Sequence, residues 1–315
     1  MTPLLTVTLN PALDMAAETP SVAPNAKLRC TAPRLDPGGG GANVSRALAR
    51  LGGRGRAFVA AGGPTGATYR ELLEAEGLDA VWFDPGSDVR RSLSVTEAAS
   101  GDQYRFLLPG EPWDAATVDA ALDAVAGAAG DGVVALSGSQ PPGAPDALPL
   151  RLAERLEGQG AALAVDTSGA PLDACVAGGP VPLDLLRMDR GEAGGVLGIA
   201  KPEQADALAF GRRLVASGAA RQAVITLGGD GAVAVSADAA WRVTPPVIEV
   251  VSAVGAGDSF LAGFLTATQR GEDLRGRLAL AMAAASAAVM TPATELCRAE
   301  DVAALLPRME LRPLS

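Results

Sequence analysis

Histidine is absent from this chain of 315 residues. That excludes His-based catalytic triads, imidazole general bases and His-containing metal sites, so any general base must be a carboxylate or another side chain. Aromatic residues make up only 3% of the chain against 48% hydrophobic residues in all. A sizeable core can form, but it must be built from Ala, Val and Leu. Cysteine is scarce as well. Cys30, Cys175 and Cys297 are far apart, odd in number and without CxxC spacing, which argues against a disulfide framework or a zinc site and fits a reducing cytoplasm. Basic residues are outnumbered, 26 Lys and Arg against 36 Asp and Glu, for a formal net charge of −10. That balance lacks the basic footprint of nonspecific nucleic-acid binding, and an anionic small ligand would need locally placed cations. The N-terminal stretch lacks the positive region and long apolar core of a signal peptide. The greasiest stretch, residues 278–290, is Ala-rich and too short to span a bilayer. The expectation is a cytoplasmic protein without membrane or nucleic-acid partners.

What is present is an alternation. Short β-rich runs at residues 4–9, 57–61, 81–83, 133–136, 162–165, 183–186 and 223–227 are separated by helical patterns at 43–51, 68–76, 115–127, 147–156 and 202–217. In the first of these helices Val44, Ala47, Leu48 and Leu51 recur at one-turn spacing, the mark of one buried face. The order predicts an α/β domain with a mainly parallel sheet. Ligands in such sheets bind beyond the carboxyl ends of the strands. Residues 232–236 and 241–243 read as a hairpin pair, and two helices are expected to close the chain. Two polar strand sets, around residues 14–35 and 89–108, stand apart. They comprise a strand expected over 27–35, an alternating one at 91–97 and another at 103–108, and they predict a small sheet projecting from the core as a lid. With no internal repeat, charge run or low-complexity linker, residues 1–315 are expected to form one domain.

Chemistry concentrates in a few blocks. Gly255 and Gly257 flank Ala256, Asp258 follows, and Phe260, Leu261, Phe264 and Leu265 then repeat at helical spacing. Gly-Ala-Gly-Asp thus enters a helix whose first N–H groups and positive dipole end favour an anion, commonly phosphate. Asp258 there is either an N-cap or a proton acceptor for a hydroxyl held against that phosphate. Pro37-Gly-Gly-Gly-Gly-Ala-Asn43 also leads into a helix but matches neither a Walker loop nor a strict GxGxxG. Its glycines suggest close approach to a ligand, with Asn43 as a hydrogen-bonding partner. Asp14, after the first strand, is either an acceptor for sugar hydroxyls or a solvated turn carboxylate. Lys27, Arg29, Arg90 and Arg91 are either readers of a substrate phosphate or charges guarding a strand edge. Asp189 and Glu192, three apart, are either water-mediated holders of Mg²⁺ beside nucleotide phosphates or helix-start residues. Thr226-Leu-Gly-Gly-Asp-Gly231 is a glycine turn that lies against a nucleotide or simply joins a hairpin.

Taken together, these blocks resemble the PfkB group of ribokinase-like sugar kinases. Thr8-Leu-Asn-Pro-Ala-Leu-Asp14, Pro37-Gly-Gly-Gly-Gly-Ala-Asn43, Ser137-Gly-Ser-Gln-Pro-Pro-Gly143, Asp166-Thr-Ser-Gly169, Thr226-Leu-Gly-Gly-Asp-Gly231 and Val254-Gly-Ala-Gly-Asp-Ser259 occur in the family's order across nearly the whole chain. Lys27-Leu-Arg-Cys-Thr-Ala-Pro33 and Ser100-Gly-Asp-Gln-Tyr-Arg-Phe106 are similar to the phosphofructokinase and tagatose-6-phosphate kinase subgroup. The resemblance implies a doubly wound, mainly parallel sheet flanked by helices, with a small β-sheet lid that also forms a homodimer interface. It implies transfer of the ATP γ-phosphoryl group with Mg²⁺, foremost to fructose 6-phosphate. The alternatives are 1-phosphofructokinase or tagatose-6-phosphate kinase chemistry, a free-sugar or nucleoside kinase, and a weakly catalytic sugar-phosphate sensor. Asp258 would be the base, and the N–H groups of Gly255, Ala256 and Gly257 the anion hole. Asp14, Gly39 and Asn43 would bind the sugar. Lys27, Arg90, Ser139 and Arg29 would hold its phosphate or support its transfer. Glu192 would act on the metal through water. Arg187, Asp189, Thr226, Gly228 and Gly231 would lie along the nucleotide. Where the family commonly carries Lys-Pro-Asn-x-x-Glu, this chain reads Arg187-Met-Asp-Arg-Gly-Glu192.

Overall fold

The computed structural model describes residues 3–292 and 295–315. The chain begins with β1 (Leu4–Thr8), β2 (Ala12–Thr19), β3 (Arg34–Gly38), α1 (Gly40–Arg50), β4 (Arg56–Gly62), α2 (Gly63–Ala75) and β5 (Ala80–Asp88). It continues with β6 (Arg90–Glu97), β7 (Gln103–Leu107), α3 (Ala115–Ala129), β8 (Val133–Ser137), α4 (Leu148–Glu157), β9 (Ala162–Asp166) and α5 (Ala170–Ala177). Then come β10 (Leu185–Asp189), α6 (Arg190–Leu197), α7 (Gln204–Ala216), β11 (Gln222–Thr226), β12 (Ala232–Ser236) and β13 (Ala240–Thr244). Helices α8 (Ala256–Gln269), α9 (Leu274–Val289) and α10 (Ala299–Leu305) precede a last strand, β14 (Glu310–Pro313).

The large sheet has the order β14-β13-β12-β11-β10-β9-β8-β1-β4-β5. Neighbours from β11 to β5 pair in parallel, while β12, β13 and β14 add antiparallel strands at one edge. Parallel strands covered on both faces need continuous apolar runs, and β1 is buried at every residue. One face packs against α3, α4 and α7 through residues such as Leu122, Leu152 and Phe210. The other packs against α1, α8 and α9 through Val44, Phe260 and Leu278. Small residues let the second layer close tightly: a Cβ on Gly263 of α8 would lie 2.7 Å from the Leu280 carbonyl oxygen of α9. From β1 the sheet winds one way through β4 and β5 and the other through β8 to β11. The strand order therefore reverses between β1 and β8, where carboxyl ends of such strands open a crevice.

The second sheet has the order β3-β2-β6-β7, antiparallel except for the parallel β2–β6 pair. These are the two polar strand sets of the sequence. The strand expected over 27–35 is displaced, however. Only Arg34–Gly38 joins the sheet as β3, and residues 20–33 carry no strand. β3 pairs with β2 only from Ala12 to Ala16. Beyond that the exposed segment meets β2 through isolated bonds, Thr31 N–H to the Glu18 carbonyl (2.9 Å) and Thr19 Oγ1 to the Arg29 carbonyl (3.4 Å), which do not extend the ladder. The chain also closes on three helices and an edge strand rather than on two helices, and β2, α5 and α6 have no counterpart among the expected elements. Among the described residues no helix is long and apolar enough to cross a membrane.

Candidate active site

Loops after β1 and β8 meet at the reversal point. Asn10, just past β1, donates through Nδ2 to Ser139 Oγ (3.1 Å) and to the Gln140 carbonyl (3.0 Å) past β8. Arg90, the first residue of β6, donates from Nε to the Asn10 carbonyl at 3.4 Å. Arg90 and Ser139 thus both hold Asn10. Asp14 is not a solvated turn carboxylate. It lies on β2 opposite Asp36 of β3 and Ser92 of β6. Burial raises its pKa, while Ser92, Arg90 and Arg105 partly offset that rise. A small cavity of about 50 Å³ borders Asp14, Ser92 and Arg105 and also reaches Val254, beside the Gly-Ala-Gly-Asp loop. The four glycines approach the protein itself closely. A Cβ on Gly38 would lie 2.1 Å from Asp14 Oδ2, and one on Gly41 would lie 2.3 Å from the Val7 carbonyl oxygen. Gly39 is the N-cap of α1, and buried Tyr69 donates to the Gly38 carbonyl at 3.0 Å.

Asp258 lies in the first turn of α8. Gly255, in the left-handed conformation at φ 77°, is the N-cap, and no side chain caps the helix. The N-cap reading of Asp258 therefore fails. Its Oδ2 instead accepts from Asn43 Nδ2 of α1 at 2.9 Å. Burial pushes the Asp258 carboxyl up to about 6. Asn43 offsets part of that rise, Asp166 adds to it, and Arg187 and Arg46 oppose it. A partly buried carboxylate titrating near neutral pH, at the positive end of a helix, is suited to accept a proton. The Gly257 N–H has no acceptor among the described residues, as expected for a first-turn amide, and Ala256 N–H makes only a 3.4 Å turn contact to the Ala253 carbonyl.

Arg187 lies directly beneath this loop. A Cβ on Gly257 would lie 3.1 Å from Arg187 Nη1. Nη1 donates to both Asp166 oxygens, at 3.1 and 3.2 Å, and Nη2 donates to Thr226 Oγ1 at 2.9 Å. Burial opposes the charge on Arg187, but Asp166, with Glu192 and Asp189 beyond, outweighs it and raises the guanidinium pKa. Arg187 and Thr226 open onto a cavity of about 470 Å³, walled by Gly228, Gly229, Val250, Met282 and Val289. That volume falls within the range of small-ligand pockets. Gly231 lies outside this lining. A Cβ there would meet the Val243 carbonyl oxygen at 1.9 Å, so its role is to let β12 and β13 close, and the turn serves both hairpin and cavity. Asp189 and Glu192 are helix-start residues in a full capping box on α6. Glu192 Oε2 accepts from Asp189 N–H at 2.7 Å, and Asp189 Oδ1 from Glu192 N–H at 2.8 Å. Burial raises the Glu192 pKa.

The expected basic set is not brought together. Arg91 turns to Thr65 Oγ1 (2.8 Å). Lys27 and Arg29 lie in the exposed segment before β3, and among the described residues neither side chain has a hydrogen bond or ion pair. Cys30 is exposed beside them, while Cys175 and Cys297 are buried. Sequence reasoning missed Arg46 and Arg105 as charges facing Asp258 and Asp14, and assigned Asp166 no role. Asp166 stood within a family block, which was a usable signal. Arg46 offered none beyond a polar position on a helix.

Known proteins share this architecture. The pfkB family carbohydrate kinase model matches residues 8–301. The chain is 34% identical over 301 residues to ATP-dependent 6-phosphofructokinase isozyme 2 of Escherichia coli, covering 96% of this chain and 97% of that protein. It is 36% identical over 300 residues to the isozyme 2 of Mycobacterium tuberculosis, covering 95% and 87%. The crystal structure of E. coli phosphofructokinase-2 in complex with fructose-6-phosphate superposes with a TM-score of 0.89 at 32% identity, over 98% of this chain and 99% of that one. With its reversed parallel sheet and its partly buried carboxylate at the head of α8, this chain belongs to the pfkB family of carbohydrate kinases.

Proposed function

We propose that the chain transfers the γ-phosphoryl group of ATP to a hydroxyl of a sugar phosphate, with fructose 6-phosphate as the acceptor and fructose 1,6-bisphosphate as the product. The observation that carries this reading is Asp258, a partly buried carboxylate at the start of α8 with its pKa raised to about 6 and one oxygen held by Asn43. The other oxygen takes the proton of the acceptor hydroxyl. That hydroxyl oxygen attacks the γ-phosphorus, and the bond to the ADP oxygen breaks. Amide N–H groups of the 255–257 loop and the Arg187 guanidinium beneath it meet the charge on the transferring group. Such transfers need little beyond positioning and fixed electrostatics, so the absence of histidine is no obstacle.

Asp14, Gly39 and Asn43 hold the sugar. Arg90 and Ser139, both bonded to Asn10, lie where the sugar phosphate is bound, and Lys27 with Arg29 approaches from the exposed segment. ATP occupies the cavity bounded by Arg187, Thr226 and Gly228. The carboxylate oxygens of Asp189 and Glu192 suit a hard cation that keeps most of its water. They would hold Mg²⁺ beside the nucleotide phosphates, where the ion neutralises phosphate charge. The two sheets act as one kinase domain, the smaller one as its lid. Tyr104, Phe106, Leu107 and Leu108 are exposed along its β7 edge. An apolar sheet edge of that kind favours pairing with a second copy, so the working form is a homodimer in the cytoplasm.

A coupled ADP-release assay tests the reading. Fructose 6-phosphate, fructose 1-phosphate, tagatose 6-phosphate and free fructose are each crossed with ATP and GTP. The highest kcat/KM is expected for fructose 6-phosphate with ATP, and Arg90→Ala is expected to raise KM for the phosphosugar far more than for free fructose. No turnover with any phosphosugar would overturn the kinase reading.

A further inference from the structure

Asn43 holds the base, but something must hold Asn43. An amide flips between two orientations of similar shape, and only one places its donor toward Asp258. Arg46, one turn further along α1, resolves the choice. Its Nη1 lies 3.2 Å from Asn43 Oδ1. A guanidinium has donors and no acceptor, so the amide atom facing it must be the oxygen, and the NH₂ is left facing Asp258. Arg46 is itself fixed. It is only 6% exposed, and its Nε and Nη2 grip Glu76 Oε2 and Oε1, each at 2.8 Å. Glu76 is the C-cap of α2. A two-pronged guanidinium–carboxylate pair fixes direction as well as distance. The sequence therefore runs from the end of α2 through α1 to the head of α8.

We propose that Arg46, clamped by Glu76, is a positioning residue that locks the Asn43 amide with its NH₂ on Asp258 Oδ2. This holds the carboxylate aimed and leaves its second oxygen for the acceptor hydroxyl. The inference rests on the kinase reading above and goes beyond it, since Arg46 touches neither substrate nor reacting atoms. The charged groups acting on Asp258 are Arg46 from α1, Asp166 from β9 and Arg187 from β10. Without Arg46 the amide can turn its oxygen toward Asp258, which favours the protonated carboxyl and withdraws the base.

The test compares the parent chain with Arg46→Met, Arg46→Lys and Glu76→Gln across a kcat–pH profile at saturating substrates. kcat is used because the substrate phosphate itself titrates near ~6 and would distort kcat/KM. Arg46→Met is expected to lose about 10- to 100-fold in kcat, the scale of a misplaced catalytic group, with KM for ATP unchanged. Its acidic limb is expected to move up by about one pH unit, as loss of a favourable charge and hydrogen bond requires. Arg46→Lys is expected to remain impaired, because one ammonium cannot grip Glu76 and Asn43 together. Glu76→Gln, at a partly exposed position, is expected to show a smaller shift in the same direction. If Arg46→Lys and Glu76→Gln both match an active parent in kcat and acidic limb, the relay is overturned alone. A fall in kcat with an unmoved acidic limb would also overturn it, leaving Arg46 a structural residue. An inactive parent would overturn the kinase reading and the relay with it.

Discussion

Asp258→Asn should make the protein worse at its reaction and better at staying folded. In the native state the carboxyl titrates at about 6 against an ordinary 3.8, chiefly because it is buried. A difference of about two units is worth about 3 kcal/mol. The folded chain holds this proton more tightly than the unfolded one. The associated stability is therefore full below about pH 4 and lost as pH rises through about 6. At pH 8 the ionised carboxylate weighs against the fold by the whole amount. An amide at this position cannot ionise and can still accept from Asn43 Nδ2. The variant should gain about 3 kcal/mol at pH 8, shrinking to about 1 kcal/mol near pH 4.5, while turnover falls ~10²-fold or more. Urea unfolding of both proteins at equal concentration, at the two pH values, measures the first effect, and ADP release measures the second. A variant no more stable than its parent at pH 8, or equally stabilised at both pH values, would refute the account of Asp258 as a carboxylate strained by burial.

Three further outcomes follow from packing. Gly38→Ala sets a methyl 2.1 Å from Asp14 Oδ2; steady-state kinetics should show KM for the sugar phosphate rising with KM for ATP little changed. Arg187→Met leaves Asp166 buried without its partner, a change that removes about 3–5 kcal/mol, read as a lowered urea midpoint. Phe106→Glu places a charge on the exposed β7 edge, where Phe106 is 53% exposed. Sedimentation velocity should then show the proposed homodimer dissociating, and an unchanged sedimentation coefficient would remove β7 from the proposed interface.

The helices and parallel strands were legible because burial writes a period into the chain. Val44, Ala47 and Leu48 mark one face of α1, and all three are buried. The strands of the small sheet were harder, because polar residues alternate weakly and pairing is decided by the neighbour. β3 starts at Arg34 rather than at Lys27 because the continuous ladder with β2 begins there, while Arg29 and Thr31 touch β2 only through isolated bonds. Helix α6 contains Gly191, Gly194 and Gly195, poor helix formers; it is the capping box between Asp189 and Glu192 that starts it. Strand β14 is defined by the exposed edge of β13, which no local pattern announces. In the site, Gly-Ala-Gly-Asp was readable as a loop entering a helix, and α8 does begin at Ala256 with Gly255 as its N-cap. The pairing of Arg187 with Asp166 and Thr226 was not readable. Those residues are adjacent only because β9, β10 and β11 are adjacent in the sheet.

The placement of the three thiols has a practical consequence. Burial pushes Cys175 up to about 12 and raises Cys297 as well, and both are enclosed in the core. Cys30 alone is exposed, within the segment that joins β2 to β3 and carries Lys27 and Arg29. The native chain therefore comes with a single attachment point for a maleimide dye, and it lies on the lid. No cysteine has to be introduced or removed. A label there reports on the lid's surroundings as sugar phosphate binds, and its protection from alkylation shows whether a second copy covers that segment.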